Sequence, residues 1–124
     1  MREIIFRGKA GIEWVYGDLR HLNDGRVAIR KDGEIYPYEV IPETVGQYTG
    51  LNDKNGKMIF EGDILEGDGE YFAYNHPYGK VVYDGGQFLI AFDDASEDTE
   101  CLGAWANDVE VIDNIHDNPE LLKG

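Results

Sequence analysis

Residues 46–65 read GQYTGLNDKNGKMIFEGDIL. Gln47-Tyr48-Thr49-Gly50 and Met58-Ile59-Phe60 flank a cluster of amides, carboxylates and glycine. An Asn-Gly pair enters left-handed backbone conformations at little steric cost, so it matches a tight turn to the twist of two antiparallel strands. Asn55-Gly56 therefore predicts a hairpin, with Asp53 and Lys54 as solvated turn residues. Gly62-Asp63 interrupts the run before Ile64-Leu65. That pattern marks a bend where a strand changes sheet, with the aspartate hydrogen-bonded to nearby amides.

The same punctuation recurs along the chain. Asn23-Asp24-Gly25 precedes Arg26 to Arg30, Lys31-Asp32-Gly33-Glu34 precedes Ile35 to Val40, and Asp84-Gly85-Gly86 separates Lys80 to Tyr83 from Gln87 to Phe92. Turn signals between short, β-branched and aromatic runs predict antiparallel hairpins. The fold class is mainly β, a barrel-like or sandwich domain. Pro37 cannot donate to a ladder, which puts its strand at an edge or a bulge. Near the C-terminus, Asn118 followed by Pro119 and Glu120 reads as the cap and first turn of a short helix. The 16 glycines in 124 residues exceed the average of roughly 7%, as a chain rich in turns requires. With no linker, repeat or low-complexity segment, residues 1–124 read as a single domain. Trp14 and Trp105 are expected to anchor its core.

The formal net charge is −14 and the pI is near 4.4. Such a chain repels nucleic acid backbones and anionic lipid. Basic residues concentrate only in Arg2, Arg7, Lys9, Arg20, Arg26, Arg30 and Lys31. Attraction to a basic partner is the functional counterpart of the acidity; solubility is its simplest consequence. Cys101 is the only cysteine, so no internal disulfide forms, and its acidic neighbours make it a poor nucleophile. No apolar run approaches the roughly 20 residues that span a bilayer, and the N-terminus lacks the apolar core of a signal peptide. A soluble, cytoplasmic protein is expected.

Candidate chemistry is sparse. The LNDKNGK segment fails the calcium-loop template: placing Gly56 at the sixth position puts Leu51 first and Gly62 twelfth, where carboxylates are required. Asp93, Asp94, Glu97 and Asp98, in an acidic loop, are weak candidates for a hard cation, and solvated charge is the alternative. His21, His76 and His116 lack paired zinc spacing. Twenty-five acidic residues could place some pair at a hydrolase's separation, but nothing selects one. No nucleophile elbow, phosphate loop or dinucleotide fingerprint is present, so no catalytic residue and no cofactor is assigned. Tyr71, Phe72, Tyr74, His76 and Tyr78 fall in one irregular segment, as cover for the core or as a partner-binding surface.

Residues 43–65, ETVGQYTGLNDKNGKMIFEGDIL, resemble the signature of the YopX family, small proteins encoded by bacteriophages and prophages. Phe6-Arg7-Gly8-Lys9 with Glu13 to Gly17 resembles the family's N-terminal form. Gly79 to Tyr83 with Gly86-Gln87-Phe88 resembles a later hairpin, and Glu110 to Leu122 a C-terminal motif, with Asp113 where glycine is usual. The resemblance implies a predominantly β, barrel-like fold and brings no catalytic residues with it. Together these observations point to a non-enzymatic phage accessory protein that binds a protein partner or self-associates into a homo-oligomer. The alternatives are an acidic nucleic-acid mimic that captures a basic host protein and a carboxylate-dependent hydrolase.

Overall fold

A computed structural model describes residues 4–67, 78–92 and 99–122. The chain is mainly β, in two antiparallel sheets, as the turn pattern predicts. It divides into two compact units, residues 1–50 and residues 51–124.

In the first unit, β1 (Phe6–Ala10), β2 (Glu13–His21), β3 (Val27–Arg30) and β4 (Tyr38–Val40) form successive hairpins. The start of β5 (Gly46–Asn52) pairs with the free side of β1. Val15, Val27, Ile29 and Val40 make the buried core, with Phe6, Ala10, Leu19 and Val45 packed against it. The sheet curls far enough for β4 to meet β1. The Ile41 N–H donates to the Lys9 carbonyl at 2.8 Å, and the Lys9 N–H donates to Thr44 Oγ1 at 2.8 Å in the 3-10 turn Pro42–Thr44. Gly8 permits this approach, since a Cβ there would sit 2.9 Å from Val40 Cγ2. Pro37 lies just ahead of β4, consistent with the edge placement.

In the second unit, the end of β5 is followed by β6 (Met58–Phe60), its neighbour in the sheet. The chain then crosses to the other sheet through β7 (Asp63–Gly67), as the Gly62-Asp63 interruption predicts. That sheet has the order β10-β9-β8-β7-β11, with β8 (Tyr78–Asp84), β9 (Gln87–Ala91), β10 (Thr99–Cys101) and β11 (Val109–Asn114). The helical turn α1 (Leu102–Trp105) and the 3-10 turn Ala106–Asp108 lie between β10 and β11. Ile59, Leu65, Val81, Ile90, Phe92, Leu102 and Val109 form the core, with Trp105 packed against it. The register of β11 on β7 shifts between Val111 and Asp113, a bulge at the start of the C-terminal motif. The C-terminal helix is a 3-10 turn, Pro119–Leu122.

Candidate functional site

The Asn52 to Gly62 stretch is an architectural joint. Its turn closes through the Asp53 N–H to the Lys57 carbonyl at 2.8 Å and the Gly56 N–H to the Asp53 carbonyl at 3.0 Å. Gly56 has a φ of 82°. Asp53 overturns the expectation of a solvated turn residue: it is only 4% exposed. Its Oδ1 accepts the N–H groups of Asn55 and Lys57 at 2.8 and 2.9 Å, and its Oδ2 accepts the Val111 N–H at 2.9 Å. Burial opposes ionisation here. The amides of Val111, Lys57 and Asn55 outweigh it and hold the carboxyl below its ordinary value. Asp63 is 1% exposed and accepts the Phe60 N–H at 2.7 Å, as predicted. The two buried carboxylates of the stretch thus fasten backbone.

The weak cation candidates Asp93, Asp94, Glu97 and Asp98 lie outside the described residues, as do Tyr71, Phe72, Tyr74 and His76. Tyr78 is described: it opens β8, half-buried, opposite Glu66 of β7. Among the described residues, no three His, Cys, Asp or Glu side chains gather as a metal site, and no helix is long and apolar enough to cross a membrane. Cys101 is exposed. Trp105 packs against a core, as expected. Trp14 does not serve as an anchor: it is half-buried, with the Arg7 guanidinium 4.8 Å and the Lys9 ammonium 5.7 Å from its ring centroid.

Charge is divided unevenly between the units. Residues 1–50 carry seven Lys and Arg against eight Asp and Glu, while residues 51–124 carry four against seventeen. Within the first unit the charges also pair. Arg26 reaches Asp24 at 2.6 Å and Glu39 at 3.1 Å, and Arg30 reaches Asp18 at 3.0 Å. Exposed pairs of this kind add little stability, but they place carboxylates beside two of the basic residues, Arg26 and Arg30.

The acidic unit also holds a cleft of about 860 Å³ lined by Lys54, Glu66, Ala104, Trp105, Asn107 and Asp108. Three parts of the chain build it: the hairpin turn, the end of β7 and the α1 region. The Lys54 N–H donates to the Val109 carbonyl at 3.0 Å, which fixes the turn beside the cleft. The Trp105 indole N–H donates to Glu100 Oε2 at 3.3 Å, which orients the ring. No local motif marks this site in the sequence. Its one sequence signal is the excess of acid after residue 50.

A family model described as "YopX protein" matches residues 7–123. No curated protein matches the chain. Among solved structures, the chain is similar to the crystal structure of protein EF1440 from Enterococcus faecalis. Sequence identity is 26% and the TM-score is 0.57, over 98% of this chain and 99% of that one.

Proposed function

The chain belongs to the YopX family, and from that premise we propose that it is a non-enzymatic protein-binding module whose acidic half engages a basic protein. The observation that carries this reading is the charge division: the excess of acid resides in residues 51–124, and residues 1–50 are nearly balanced. A field of this sign attracts and orients a cationic surface and repels phosphate backbones. The buried carboxylates Asp53 and Asp63 are engaged by backbone amides, which suits a scaffold more than an acid–base pair. The family resemblance favours a phage or prophage accessory protein acting in the cytoplasm of a bacterial host.

The test is capture. The protein is immobilised, bacterial lysate is passed over it, and salt is raised in steps. One basic protein released at moderate salt is the expected result. Retention of only the protein itself would replace this reading with self-assembly. There the exposed Ile35 and Tyr36, 81% and 80% accessible, would be the first residues to change.

A further inference from the structure

We propose that the Trp105 cleft receives an arginine side chain of the partner, its guanidinium stacked on the indole and paired with Glu66 and Asp108. This rests on the reading of the acidic unit as the surface for a basic protein.

Three features of the cleft favour an arginine. First, Trp105 is a fixed aromatic wall. It packs against the core, its N–H is held by Glu100, and it lines the cleft. A ring that is already ordered loses little entropy when a ligand stacks on it. Second, among the described residues the charged lining is net acidic: exposed Glu66 and Asp108 against Lys54. The surrounding unit has thirteen more acidic than basic residues, four against seventeen. An anion is disfavoured there on both counts. Third, arginine suits this combination better than lysine does. Its planar guanidinium stacks on aromatic faces, is weakly hydrated, and offers forked donors to carboxylates. The carboxamide of Asn107 adds an acceptor on the same lining. The cleft is larger than one side chain, so it also accommodates the peptide backbone on either side of the arginine.

The experiment is a titration of the ¹⁵N-labelled full chain with N-acetyl-arginine methylamide at low salt, following the two indole N–H signals. The neutral isostere N-acetyl-citrulline methylamide is the control. The Trp105 signal should shift saturably and the Trp14 signal should stay in place. Citrulline should bind at least about fivefold more weakly, because it keeps the shape and loses the charge. Glu66→Gln with Asp108→Asn should weaken arginine binding by a similar factor, and Lys54→Met should tighten it about twofold, since one repulsion is removed. Unchanged amide spectra away from the cleft establish that these variants are folded.

A Trp105 signal that does not move, or that moves equally with citrulline, overturns the assignment. So does arginine binding that is unchanged in the Glu66 and Asp108 variant. If the titration fails while lysate capture still yields a salt-eluted basic protein, the cleft assignment falls and the acidic-surface reading stands. If the titration succeeds and capture retains nothing basic, the cleft assignment stands and the partner reading falls.

Discussion

The carboxylate of Asp53 accepts the backbone N–H of Val111 at 2.9 Å, a bond between residues 58 positions apart. It links the hairpin turn to β11 immediately before the β11 bulge, so the turn and the C-terminal motif share one buried anion. Nearby, Asn55 Nδ2 donates to Glu110 Oε1 at 3.2 Å and the Lys54 N–H to the Val109 carbonyl at 3.0 Å. The turn is therefore held on β11 by three consecutive residues. Lys54, one of the three, also lines the Trp105 cleft, so the joint helps to shape that site.

Asp53→Ala removes the acceptor for three amides, one of which, at Val111, is buried. A buried donor left unsatisfied costs about 1–3 kcal/mol, and the two turn amides can turn to water, so a loss of about 2–3 kcal/mol is expected. Asp53→Asn keeps one oxygen for the turn and presents an N–H to Val111, for a loss of about 1–2 kcal/mol. Urea denaturation measures both; a loss below about 0.5 kcal/mol for the alanine variant would show that the joint carries no stability.

The same carboxylate predicts a pH dependence. Its folded-state pKa lies below the ordinary 3.8, with burial opposed and outweighed by the amides of Val111, Lys57 and Asn55. The unfolded chain therefore takes up this proton at a higher pH than the folded chain does. The stabilisation is fully present above about pH 4 and is lost as the pH falls through the folded value. The gap in urea midpoint between wild type and Asp53→Asn should shrink between about pH 6 and about pH 3. A gap that stays constant would show that the amides do not favour the ionised form.

Two glycines, both at positive φ, differ in what a Cβ would meet. Gly56 has a φ of 82° and open space where a Cβ would be, so Gly56→Ala should cost about 1–2 kcal/mol from the backbone alone. A Cβ on Gly17 would instead strike the carbonyl oxygen of Arg30, which cannot move without disturbing β3. Gly17→Ala should cost more than Gly56→Ala in thermal or urea unfolding. The opposite order would contradict the tight approach of β2 to β3.

Much of the architecture was legible because turns are local. Asn23-Asp24-Gly25, Asp32-Gly33, Asn55-Gly56 and Asp84-Gly85-Gly86 each precede or join a strand pair, and their geometry depends on a few adjacent residues. Gly62-Asp63 was legible for the same reason. Asp53 was not, because the amide that buries it lies on Val111, and a turn aspartate looks solvated until that partner is known. Trp14 was misplaced because tryptophan in a strand suggests core, whereas its ring here lies beneath Arg7 and Lys9. The helical turn Leu102–Trp105 is too short to show a period, so the cleft beside it left no pattern in the sequence.

The exposed Ile35 and Tyr36 belong to the charge-balanced unit. Ile35→Ser with Tyr36→Ser should leave stability within about 0.5 kcal/mol, as for other exposed positions, and should leave capture of a basic partner unchanged. Loss of capture in this variant, with the fold intact by circular dichroism, would move the binding surface to the first unit.

The most direct measurement is the salt dependence of the affinity for the captured partner, in wild type and in a variant with exposed Glu66, Asp84, Asp108 and Glu120 changed to their amides. Affinity should fall steeply with salt for wild type and less steeply for the variant, because screening acts on the charges that the variant lacks. Affinity that ignores salt, or equal slopes for the two proteins, would contradict an electrostatic role for the acidic unit.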